Sequence, residues 1–111
     1  MDDEYLNIVM GIIINGGNAK GLAFEAIQEA KAGDFDYAEK LLDDSQKALQ
    51  EAHDTQTDLL TRTAQGETIE VNLYMVHAQD HLMGAITFRD IAKELVEQYR
   101  RINSLEASKQ V

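Results

Sequence analysis

The amino-acid sequence predicts an all-α protein, an up-down-up bundle of three helices, and three observations predict it. Apolar residues recur at three-and-four spacing along three stretches. Proline is absent from all 111 residues, so no helix is kinked by a residue without a backbone N–H. Gly33-Asp34 and Gly66-Glu67 divide the chain into three segments of similar length. Each glycine offers a helix stop, and each acid suits a fresh helix N-terminus.

The first segment carries its pattern on Leu6, Val9, Met10, Ile13, Gly17, Phe24 and Ile27. The second carries it on Ala38, Leu41, Leu42, Ser45, Ala48, Leu49, Ala52, Gln56 and Leu59, and the third on Phe88, Ile91, Ala92, Leu95, Tyr99 and Ile102. Helices starting near Asp3, Phe35 and Thr68 and running roughly 30 residues would each be about 45 Å long. Short connections make neighbours antiparallel. Residues 1–111 form one domain, with 104–111 as a polar tail.

The third segment changes character along its length. Leu73, Tyr74, Met75, Val76, Ala78, Leu82 and Met83 cover nearly every direction around the helix. A helix apolar all round is buried all round, and three helices alone cannot bury every side of one of their own. A second copy of the chain is therefore expected to cover the rest.

Twenty acidic residues against ten basic ones give a net charge of -10. That argues against nucleic acid, whose phosphates need a cationic face, and favours basic protein partners. Cysteine is absent, which excludes disulfides and thiolate chemistry. The opening Met1-Asp2-Asp3-Glu4 is acidic, unlike a secretory leader, and the run Ile12-Ile13-Ile14 is too short to span a bilayer. The expectation is a cytoplasmic protein.

Inside the apolar stretch sit His77, Asp80 and His81, and with Gly84 they share one helix face at i, i+3, i+4 and i+7. Two imidazoles and a carboxylate there are costly unless paired, ligated or functional. Buried histidines satisfied by hydrogen bonds and a metal site both remain open, although one helical turn supplies few ligands. Counting helix rise puts Gly16, Gly17, His53 and Gln56 near the level of His77. Asn15-Gly16-Gly17-Asn18 is poor helix sequence, each glycine costing about 1 kcal/mol against alanine. It reads either as a helix break or as a place of close helix approach or an open groove beside His77.

Val76-His77-Ala78-Gln79-Asp80-His81-Leu82-Met83 resembles the signature of the lactose/cellobiose-type IIA proteins of bacterial sugar phosphotransferase systems. Val9-Met10-Gly11-Ile12-Ile13-Ile14-Asn15-Gly16-Gly17, Gly33-Asp34-Phe35, Glu51-Ala52-His53 and Gln56-Thr57 match the same family, so the resemblance covers roughly residues 5 to 100. Ala78 and the Val-Met-Gly-Ile-Ile-Ile-Asn stretch resemble the cellobiose, chitobiose or lichenan branch. Gly84 and Lys20 depart from it, standing where threonine and arginine are common.

The resemblance implies a trimer of three-helix subunits, a nine-helix bundle. It implies that His77 receives a phosphoryl group from the histidine phosphocarrier protein HPr. His77 would pass that group to a cysteine of the IIB component, while the membrane component IIC takes up the sugar. It also implies that Asp80 of each subunit faces the three-fold axis, where a divalent metal, Mg²⁺ by its oxygen ligands, can sit. The chemistry suits the residues: a neutral imidazole is a nucleophile near physiological pH. His81, one turn beyond His77, is placed to hydrogen-bond the phosphoryl oxygens, whereas Gln79 points elsewhere and receives no direct role. The competing reading is a helical metal-binding or adaptor protein without group transfer.

Overall fold

A computed structural model describes residues 2–109. It contains α1 (Asp3–Lys31), α2 (Phe35–Ala64) and α3 (Leu73–Lys109), with no strand among the described residues. The bundle is long and narrow, 65 × 22 × 19 Å.

Side-chain caps set the helix starts. The Asp2 carboxylate accepts from the Tyr5 N–H, and Asp34 does the same for Tyr37, satisfying donors that have no partner inside the helix. At the end of α1, Gly33 takes φ +92° and the Asp34 N–H returns to the Glu29 carbonyl, a glycine-dependent stop. Gly66, φ +93°, ends α2 in the same way, with the Glu67 N–H on the Arg62 carbonyl.

The third helix departs from expectation. It begins at Leu73 and not near Thr68, because residues 67–72 are non-helical. Glu67 does not open a helix: the Arg62 guanidinium grips it at 2.6 Å and holds its carboxyl below the usual carboxylate range. Thr68, Ile69 and Val71 are β-branched and disfavour helix. Ile69 packs on the lower core, and the Tyr5 hydroxyl donates to the Glu70 carbonyl. The cap falls to Asn72, whose side chain accepts from the Met75 N–H at 3.0 Å. At its other end α3 is longer than expected, 37 residues. The stretch read as a tail from 104 is helical and exposed as far as Lys109; its last two residues lie outside those described.

α1 lies between the other two helices, which touch each other far less than either touches α1. Two core clusters stack along it. The lower joins Val9, Ile12, Leu49, Leu59, Met75 and Leu82; the upper joins Ile27, Leu41, Leu42, Ala92 and Val96. Between Leu42 and Leu49 the buried Ser45 hydroxyl donates to the Ala19 carbonyl at 2.7 Å, which offsets the cost of burying it.

The second helix buries the face expected of it. The first does so only at Val9 and Ile27: Ile12, Gly16, Ala19, Ala23, Ala26 and Ala30 are the other buried residues, while Leu6, Met10 and Phe24 are exposed. Small residues face the core because α2 and α3 approach α1 closely there, and the larger side chains point outward. On α3 the inner face is Met75, Ala78, Leu82, Ala85, Ala92 and Val96. Leu73, Val76, Met83, Ile91, Leu95, Ile102 and Leu105 form an exposed apolar stripe on the opposite side.

Candidate functional site

Ala78 and Leu82 are fully buried, and they fix the rotation of α3 through its second and third turns. His77 and Asp80 consequently face out, and His81 is half-buried at the edge. The imidazoles of His77 and His81 meet edge to face, ring centroids 4.4 Å apart and planes at 82°. The i, i+4 spacing thus yields a real side-chain pair. Of the readings left open, buried and satisfied histidines are excluded for His77, whose ring is accessible.

Gly16 resolves the glycine question. α1 is continuous, so there is no break. A Cβ on Gly16 would lie 3.5 Å from the His81 carbonyl oxygen and 3.6 Å from the Leu82 Cα, so the two backbones approach closely behind the histidine pair. Gly17 faces open space. A cavity of about 160 Å³ beside His81 is lined by Lys20, Asp80, His81, Gly84 and Ala85. The two residues that depart from the family pattern, Lys20 of α1 and Gly84 of α3, therefore line the same cavity.

Gln79 turns toward α2, where its side-chain oxygen accepts from Gln56 at 2.5 Å. Gln56 also approaches the Met83 sulfur at 3.8 Å, so it joins α3 at the level of Asp80, as helix rise foretold. His53 does not join that layer. It is exposed and lines a groove of about 280 Å³ with Gln46, Gln50, Ile86 and Asp90. Ala52 takes the core-facing position on α2, which leaves its neighbour His53 on the seam between α2 and α3. Ile86 lies more than two turns along α3 from His77.

Among the described residues no three His, Asp or Glu side chains come together to hold a metal. Asp80 is one exposed carboxylate on the apolar stripe, between Val76 and Met83. Such a group fits a hard cation only if further copies of the chain bring their own oxygens to it.

Residues 7–100 match the family described as the PTS system, lactose/cellobiose specific IIA subunit. The chain belongs to that family and is a IIA component of a sugar phosphotransferase system. It is 65% identical over 104 residues to the cellobiose-specific EIIA component of Lactococcus lactis subsp. lactis, covering 94% of this chain and 90% of that one. It is equally similar, 65% with the same coverage, to the galactose-specific EIIA component of Lactococcus lactis subsp. cremoris. Its fold is that of IIA(Chitobiose), solved in complex with HPr from the Escherichia coli phosphotransferase system. There the TM-score is 0.74 at 38% identity, with 92% of this chain and 99% of that chain covered. No helix among the described residues is long and apolar enough to cross a membrane.

Proposed function

We propose that this chain is a phosphocarrier in which His77 accepts a phosphoryl group from phospho-HPr and gives it to a cysteine of the IIB component. The exposed His77 ring, set edge to face against His81 on a turn anchored by Ala78 and Leu82, carries the reading. The solved IIA(Chitobiose)–HPr complex supports HPr as donor. In the first step an imidazole nitrogen lone pair attacks phosphorus, the N–P bond in HPr breaks, and a new N–P bond forms on His77. In the second, the IIB thiolate attacks, an S–P bond forms and the His77 imidazole is released neutral. Such transfers depend on positioning and on stabilising the oxygens' charge, and His81 is within reach to donate to them. HPr reaches the net charge of -10 with a basic surface, in the cytoplasm.

The outer stripe of α3 supports a homotrimer, its three α3 helices packed about an axis with Asp80 in the midst. Three carboxylates in an apolar layer would repel. A divalent cation, Mg²⁺ by ligand type, would be held by the three Asp80 side chains and neutralise most of that charge. Its contribution is to assembly, and no transfer step passes through it. The sugar belongs to the cellobiose-like group in this reading and is taken up by IIC.

Incubation of the full chain with phosphoenolpyruvate, enzyme I and HPr tests the proposal. Stoichiometric label on His77, discharged by IIB, is expected. An unlabelled, folded chain would instead favour the metal-binding or adaptor reading.

A further inference from the structure

The phosphocarrier reading leaves a charge problem at the site. A phosphoryl group on His77 adds about two negative charges beside Asp80, on a chain whose net charge is already -10. His81 can donate a hydrogen bond, but the motif from Val76 to Met83 holds no lysine or arginine. The compensating cation, if the chain supplies one, must come from outside the histidine motif.

The cavity that reaches His81 and Asp80 has one cationic side chain among its lining residues, Lys20 of α1. Lys20 stands one helical turn beyond Gly16, where α1 lies against the His81 backbone. Its ammonium rests 5.8 Å from the centroid of the Phe88 ring, a cation–π distance. Among the described residues it makes no ion pair. Gly84 adds no side chain to the cavity, and the space beside it is open, with nothing within 4 Å of where a Cβ would stand. A lysine stem carries a compact point charge through several rotatable bonds. Rotation about them moves the charge between the Phe88 face and the His81 side.

We propose that Lys20 is a positioning residue for the phosphorylated state: its ammonium turns into the cavity beside His81 and steadies the phosphoryl group carried on His77. This rests on the phosphocarrier reading. An exposed cation acts through a solvent-weakened field, so the effect falls on how much phosphoryl group the chain holds at equilibrium and is sensitive to salt.

The test is the equilibrium distribution of phosphoryl group between HPr and the full-length chain, followed by ³¹P NMR. Lys20→Met keeps the stem over Phe88 and removes the charge. Lys20→Arg restores the charge. Lys40→Met is the control: it removes one equal charge from α2, where Lys40 pairs with Asp44 at 3.1 Å. Lys20→Met is expected to shift the equilibrium toward phospho-HPr by about 10-fold at low salt, less than the loss of a donor in a dry site. The shift should shrink as salt rises. Lys20→Arg should restore most of it, and Lys40→Met should leave the distribution near that of the wild type. If Lys20→Met and Lys40→Met give the same distribution, the proposal is wrong. It is equally wrong if Lys20→Met alters only sedimentation, since Lys20 would then serve Asp80 in assembly. A wild type that takes no label removes the phosphocarrier reading itself, whereas a labelled wild type with an unmoved Lys20→Met removes this proposal alone.

Discussion

His77 and His53 are both exposed imidazoles on long helices, and α3 separates them. His77 has a second imidazole at 4.4 Å, apolar neighbours at Val76 and Tyr74, and a turn locked to the core through Ala78 and Leu82. His53 sits in a groove of mixed character with Gln46, Leu49, Gln50, Ile86 and Asp90, without a second ring among its lining residues. The same functional group is thus offered once as part of a preorganised pair and once as a solvated side chain on a seam. The neighbours and not the residue type set the two apart: phosphoryl transfer would need a held geometry, and of the two imidazoles His77 is the one paired with a second ring on a turn anchored in the core.

The largest test of that contrast is His77→Ala, expected to fold as the wild type and to accept no phosphoryl group from phospho-HPr. Label that persisted in this variant and vanished from His53→Ala would invert the comparison. His81→Ala is expected to slow transfer by something on the order of 10- to 1000-fold, the range for a lost charge-stabilising donor, with unchanged stopped-flow rates from HPr and to IIB deciding against it. Asp80→Leu sharpens the comparison from the assembly side. Sedimentation should show a trimer at least as stable as wild type and indifferent to chelator, because leucine suits an apolar layer; dissociation into monomers would remove the axial role. Smallest is His53→Ala, expected to change transfer within about two-fold and stability within about 0.5 kcal/mol, as for an ordinary surface site.

The His77–His81 pair was legible in the sequence because its members lie one turn apart on one helix, where spacing alone dictates adjacency. Lys20 was visible there only as a departure from a family pattern, since its place beside His81 depends on how closely α1 packs at Gly16. The same limit governs the fold. Two Gly-acid pairs, one with Asp and one with Glu, predicted two like turns, yet Asp34 caps a helix while Glu67 is drawn back to Arg62 and the cap passes to Asn72. A competing ion pair five residues upstream decides between them. The α1 core face departs from its apolar pattern, except at Val9 and Ile27, for a related reason. Large apolar side chains dominate a hydrophobic pattern, but alanines and a glycine make the closest contacts, and closeness is a tertiary fact.

The central position of α1 has a consequence for how this chain tolerates change. Ala19, Ala23, Ala26 and Ala30 are buried on a helix that has α2 and α3 as neighbours, while each of those two has mainly α1. An added methylene on this row displaces a neighbour across a tightly filled interior, and a displacement of α1 is passed to both other helices together. On α2 or α3 the same change is passed mainly to α1, since those two helices touch each other little. The variation this chain can accumulate is therefore distributed unevenly: α1, which contributes no histidine, is the helix with the least freedom to drift.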